Sequence, residues 1–299
     1  ERLAFQTGTD AFIKVGHLLL VVRIGYITYR VLDVADLTVE GSYPLGAAVA
    51  VSFIAGGGSP VIAVVLAFLA GSVAGIVTGL LHTKLKIPAL LAGILTMIGL
   101  YSINLRVMGN KSNVSILRMD TIYTFFGNMG FNKNESILVC GLIFVAVIIV
   151  FLYWFFGTEI GAAIRATGCN KQMIRAQGID TDVTIILGLL ISNGMVSMAG
   201  ALIGQSQGFA DAGMGTGTIV IGLASVIIGE VLFGTRNFMN WLLAVVGGSI
   251  VYRIVIAFVL KLGMNQNDMK LFTAIIVVIA LAMPLLKEKI SKARGREEC

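Results

Sequence analysis

Long apolar runs separated by short polar connectors organise this chain from residue 12 to residue 286. They fall at 12–30, 44–57, 60–82, 88–108, 136–157, 182–206, 216–233, 239–260 and 271–286. Most approach the roughly 20 residues a helix needs to cross a bilayer. The run at 44–57 is too short to cross alone unless its Gly-rich flank joins it. Lys14, His17 and Arg23 interrupt the first run. Ten-residue strands of alternating apolar and polar positions are absent, which excludes an outer-membrane barrel. The pattern predicts an all-α polytopic membrane protein of about nine transmembrane helices. These form one domain over 1–286, followed by a basic tail at 287–299.

One connector differs from the rest. Residues 158–181 are polar, mainly basic and long enough for about five helical turns. A simple link between two spans needs no such amphipathic structure. It makes sense if something outside the membrane grips it.

Composition supports the membrane reading. Hydrophobic residues make up 57% of the chain, charged residues 13%, and the mean hydropathy is +0.92. A soluble domain carries roughly 25% charge. The net charge of +6 does not imply nucleic acid, because the basic residues sit in connectors rather than on one soluble face. With the C-terminus inside, Arg30, Lys84, Lys86, Arg165, Lys171, Arg175, Arg236 and the tail lie on the cytoplasmic side. Only Lys111, Arg118, Lys133, Lys261 and Lys270 lie outside. That bias follows the positive-inside rule and places 158–181 in the cytoplasm. Cys140, Cys169 and Cys299 have no pairing pattern, and His17 and His82 are too few and too far apart for a metal cluster. The longest outer loop, about 109–135, mixes Asn110, Asn113, Asn128 and Asn134 with Tyr123, Phe125 and Phe126. It reads either as a polar loop or as a docking surface for an external partner. Two sequons, at Asn113 and Asn134, carry little weight because the triplet is common by chance.

Two stretches of the chain echo each other. Ala35-Asp36 precedes Gly41-Ser42 and Leu45-Gly46, as Ala210-Asp211 precedes Gly217-Thr218 and Ile221-Gly222. LAFLAGSV (66–73) matches LAVVGGSI (243–250), with offsets of 175 to 177 residues throughout. Copies five spans apart would insert in opposite orientation, and inverted repeats with a Gly-broken helix are common in transporters. Gly71, Gly75 and Gly79 share one helix face, as do Gly200 and Gly204. Such faces allow close helix packing within a protomer or at a dimer seam.

The segment RATGCNKQMIRAQGI (165–179) resembles the cytoplasmic coupling loop of ABC-importer permeases. ADLTVEGSYPLGAAVA (35–50) and AGSVAGIVTGLLHTKLKIPALLAGILTMIGL (70–100) are similar to the branched-chain amino acid and ribose permease superfamily. DLTVEGS together with QGFADAGMGTGTIVIGLASVIIGE is closer to the subgroup that takes up tryptophan and tyrosine. The similarity runs from about residue 24 to 286; residues 1–23 depart from the family's smooth apolar first helix.

The resemblance implies a type II-like importer fold, a homodimer of permeases and two copies of a separate ATPase. It also implies an extracytoplasmic solute-binding protein. No Gly-Lys dipeptide occurs, so no phosphate-cradling loop exists, and ATP and Mg belong to the partner ATPase, with no cofactor bound here. Arg165, Gly168, Asn170, Arg175, Ala176 and Gly178 are the expected coupling residues.

Ionisable and amide groups within spans are functional candidates by default. Arg253, Thr96, Asn104, Asn193, Ser197 and Gln205 are the candidates for a solute pathway, with interhelical hydrogen bonding as the alternative for the uncharged ones. Arg253 either snorkels or meets a solute carboxylate. Met195, Met198 and Met214 would suit an adaptable lining or a core. Asp33, Asp36 and Glu40 read as caps and turn acceptors at a cytoplasmic junction, and Glu230 as a contact for the ATPase or a neighbouring helix. A secondary transporter would need a mid-span carboxylate, and an intramembrane enzyme a catalytic pair. Neither is evident in the sequence.

Overall fold

The structure, a computed structural model, describes residues 36–117, 119–127, 130, 132–234 and 238–261, with a few positions between 271 and 278. The expected run at 12–30, most of that at 271–286, the tail and Asp33 lie outside the described residues.

In chain order the elements are α1 (Val39–Ala55), α2 (Pro60–Thr83), α3 (Ala89–Val107), β1 (Asn113–Ser115), α4 (Ile122–Gly127) and α5 (Lys133–Gly157). These are followed by α6 (Glu159–Cys169), α7 (Lys171–Ala176), α8 (Thr181–Gln207), β2 (Phe209–Asp211), α9 (Thr218–Phe233) and α10 (Phe238–Lys261). Among the described residues, the helices α2, α3, α5 and α8 are long and apolar enough to cross a membrane.

Helix α8 sits at the centre and packs most extensively against α2 and α1. Small residues make this possible. A Cβ added at Gly46 would run into the Ser197 carbonyl, and one at Gly71 into Asn193 and Ser197. Backbone-to-backbone approach of this kind replaces the hydrophobic drive that lipid does not supply. Along α2, Gly71 meets Asn193 and Ser197, Gly75 meets Leu189, and Gly79 meets Ile186. The two helices are therefore antiparallel. Ser42 meets Asn193 and Val51 meets Gly204, so α1 runs parallel to α8.

That pairing corrects one expectation. Helix α1 begins at Val39, not near 44, and its first turn lies beside Asn193. Asn193 is twelve residues into α8, about 18 Å of rise from Thr181. Asp36 is thus buried deep in the bundle rather than placed at a cytoplasmic junction, although it does act as a turn acceptor for the Thr38 N–H. Asp36, Thr38, Glu40 and Ser42 read as a connector because they are polar. In the fold their partners are the polar groups of neighbouring helices.

A short antiparallel ribbon, β1 with β2, was not expected. Asn113 pairs with Asp211, Val114 with Ala210, and Ser115 with Phe209. Each strand has only three residues, too few for a period-2 signal. The left-handed Gly208 (φ +79°) ends α8 and turns the chain into β2.

The 158–181 segment also differs from a single helix of about five turns. It forms two helices that meet at Asn170, whose backbone is extended and whose side chain accepts the Met173 N–H at 3.0 Å. Asn competes well as an N-cap, so it ends one helix and starts the next. The result is an elbow.

Candidate functional site: a buried polar cluster and an exposed elbow

The polar cluster forms where α1, α2, α3 and α8 meet. Asn193 is fully buried, accepts the Ser42 hydroxyl at 2.7 Å and donates to Asp36 at 2.7 Å and to the Leu189 carbonyl at 3.2 Å. One turn below Ser42, Thr38 shares a hydroxyl contact with Thr78 at 2.8 Å, and Thr78 donates to Thr96 at 3.0 Å. Thr96 also donates to the Ala92 carbonyl. Ser197 donates to the Ala67 carbonyl at 2.6 Å. Asn104 donates to the Gly41 carbonyl at 3.3 Å, while its buried Oδ1 has no hydrogen-bond partner among the described residues.

Thr96, Asn104, Asn193 and Ser197 are thus held between helices of one protomer. Gln205 lies apart, at the ribbon end of α8. It accepts the Ile122 N–H and donates to the Pro60 carbonyl, and it also lines a cavity of about 340 Å³. Arg253 is on α10, but its side chain lies outside the described residues.

The second feature is where two helix starts converge. The turn 212–217 brings Gly217 to the first turn of α1, where its N–H donates to the Glu40 carboxylate at 3.0 Å. Gly215 packs against the Glu40 carbonyl and the Pro44 ring so closely that no Cβ would fit. Pro44 has no N–H to offer that carbonyl. The N-termini of α1 and α9 therefore face each other across one carboxylate.

The elbow is tied to the bundle by Thr167, whose hydroxyl lies 2.9 Å from that of Thr184 on α8, and by a Thr158 cap on the Gly161 N–H. Asn170, Ala176 and Gly178 are exposed, and Gly168 is half-buried. Met173 adds an exposed apolar tip. Arg175 donates to the Thr181 hydroxyl at 2.7 Å and meets Asp182 at 3.4 Å, and Lys84 also reaches Asp182 at 3.8 Å. These exposed pairs add little stability, about 0–1 kcal/mol each, and Arg175 links the end of α7 to the start of α8. Arg165 turns back toward the end of α5, beside Phe156 and Thr158.

Comparison with known proteins decides the family. The permease component of branched-chain amino acid transport systems matches residues 10–282. The chain belongs to this permease family. A tyrosine transport system permease protein of Clostridioides difficile is 41% identical over 93% of this chain and 92% of its own length. An uncharacterised protein of Rickettsia prowazekii is 33% identical over 86% and 90% respectively. The ribose import permease of Escherichia coli K12 is more distant, 25% identical over 75% of this chain and 66% of its own length. No solved structure matches the chain.

The permease is therefore a multi-pass membrane protein, and two of these relatives are named as transport permeases. Among its described residues no group of three His, Cys, Asp or Glu could hold a metal ion. Sequence reasoning singled out Asn193 and Thr96 as polar groups within spans but not the partners they bond here, Asp36, Ser42, Thr38 and Thr78. The missed signal was the spacing of Thr38 and Ser42, four residues apart on one helix face.

Proposed function

We propose that this permease is the membrane subunit of an ATP-driven importer that takes up an amino acid, most suitably an aromatic one. The observation that carries the reading is the elbow: a helical pair with an exposed small-residue surface outside the spans of a chain that lacks its own nucleotide-binding loop. Gly168, Asn170, Ala176 and Gly178 would seat in a groove of a separate ATPase. Arg165 and Arg175 would hold the elbow's shape and add charge at its rim. Transport of an amino acid rather than a sugar rests on the 41% identical tyrosine permease. The ribose permease relative supports the alternative, uptake of a sugar, at lower identity.

In this reading two copies of the chain form the pathway between them, each with one elbow and one ATPase. A binding protein delivers solute on the ribbon side, and the C-terminus and elbow are cytoplasmic. Residues 1–286 form one domain of about nine spans, with 287–299 as a basic tail. The two shorter apolar helices α1 and α9 would be related by an inverted repeat. Their first turns meet at Glu40, and Asp36 and Asp211 accept the same kinds of donor, an Asn side chain and the N–H two residues on. Thr96, Asn104, Asn193, Ser197 and Gln205 would then shape the pathway wall from behind. Arg253 would contribute a charge-assisted bond to a solute carboxylate.

The test is reconstitution with the cognate ATPase and binding protein, comparing labelled tyrosine, tryptophan and ribose. Uptake of ribose alone would overturn the amino-acid reading. Ala176→Trp and Gly168→Trp should leave the spans folded but reduce uptake per ATP hydrolysed by at least about tenfold, the effect of losing about 1.4 kcal/mol of coupling. Normal coupling in both variants would remove the elbow from the mechanism.

A further inference from the structure

At the elbow end of α5 the structure leaves a cavity of about 510 Å³, lined by Val150, Tyr153, Trp154, Phe156, Thr158 and Arg165. Its chemistry is divided. Tyr153 and Trp154 are exposed aromatics at the rim, with Trp154 65% exposed. Arg165, from α6, supplies a cation at the elbow end. Glu159, the acidic residue in the first turn of α6, is six residues earlier and about 240° round the helix, so it does not share the Arg165 face.

The cavity continues into an apolar track. Ile143, Val147, Val150 and Trp154 are all exposed and recur at spacings of four, three and four, one above another on one face of α5. Eleven residues of helix rise about 16 Å. That is about half the roughly 30 Å hydrocarbon core, the depth of one leaflet. Aromatic residues at the end of such a track mark the headgroup level.

We infer that this cavity is a binding site for one anionic phospholipid of the leaflet on the elbow side, with the headgroup phosphate on Arg165 and an acyl chain along the 143–154 track. The site rests on the reading that this face of the permease meets lipid. It also has a consequence for that reading: the cation that receives the headgroup is on the first helix of the elbow, so lipid charge acts where the ATPase would dock. A neutral lipid satisfies the aromatic rim and the track but brings no net negative charge to Arg165.

The chain has two tryptophans, so Trp241→Phe leaves Trp154 as the sole reporter. The purified variant is reconstituted in phosphatidylcholine vesicles containing increasing fractions of brominated phosphatidylglycerol or brominated phosphatidylcholine, and Trp154 quenching is followed. The expected result is half-maximal quenching at about fivefold less brominated phosphatidylglycerol than phosphatidylcholine, the preference one basic residue gives near a membrane surface. Arg165→Gln should abolish the preference and Arg165→Lys should keep it, while both leave total quenching unchanged. Equal quenching by the two lipids would overturn the site but leave the membrane reading intact. Preference that survives in Arg165→Gln would also overturn it. Failure of either lipid to quench would show that this face does not meet the bilayer at all. If micromolar glycerol phosphate abolished the preference, a free phosphate compound would outcompete lipid for Arg165 and the lipid assignment would fall.

Discussion

Two aspartates make nearly the same turn ahead of a short helix, Asp36 just before α1 and Asp211 at the end of β2 well before α9, yet one is buried and the other is not. Asp36 accepts the Thr38 N–H at 2.9 Å and the Asn193 amide at 2.7 Å. Asp211 accepts the Gly213 N–H at 2.7 Å and the Asn113 amide at 3.4 Å. Asp36 is 8% exposed and surrounded by α2, α3 and α8, whereas the Asp211 bond to Asn113 is exposed on the ribbon. The same turn chemistry thus fastens helices in one place and shapes a surface in the other. Local motif does not set energetic weight; the surroundings do. In a low-dielectric interior a hydrogen bond is stronger, and a partner left behind without one costs more.

The largest expected effect follows from Asp36→Ala. It leaves the Asn193 amide and the Thr38 N–H without their acceptor inside the bundle, which should cost about 3 kcal/mol. The thermal unfolding midpoint in detergent should fall well below that of the parent, and Asp36→Asn should recover part of the loss. A midpoint within a degree of the parent would break the comparison.

Thr78→Val removes the hydroxyl that bridges Thr38 and Thr96 while keeping the shape. It should cost about 1–2 kcal/mol in the same assay. Glu40→Ala removes the carboxylate between the two helix starts, with an expected loss of about 1 kcal/mol. Proteolysis within 212–217 should rise at the same time, which separates loss of this tether from general unfolding. Asp211→Ala is the smallest change, at about 0.5 kcal/mol or less, because water can replace its partners. If Asp211→Ala proved as damaging as Asp36→Ala, exposure would not be what distinguishes the two sites.

The apolar pattern revealed α2, α3, α5 and α8 to within a few residues, because each is a long, nearly uninterrupted run. It was weakest where helices begin inside the bundle. Thr38, Glu40 and Ser42 look like a surface connector to any reading based on hydropathy. The burial of Thr38 and Ser42 depends on Asn193, Thr78 and Thr96, and Glu40 is met by Gly217, all residues far away in sequence. The elbow was visible as a basic segment, but its break at Asn170 was hidden by helix-forming neighbours on both sides. Arg165 and Arg175 were legible as charges but not as to their direction. Arg175 closes onto Thr181 and Asp182, and Arg165 turns to the α5 cavity.

The Asp36–Asn193 bond also sets a timetable. Its two residues are 157 positions apart. At about 5–20 residues per second, α1 waits roughly 8–30 seconds of synthesis before its partner exists. Until then a carboxylate and the short helix behind it must be sheltered by the insertion machinery rather than by the protein. In a cysteine-free background, a Ser42→Cys thiol in a chain released after residue 180 should therefore react with a water-soluble maleimide, whereas in one released after residue 261 it should be protected. Protection in both would show that α1 settles without waiting for α8.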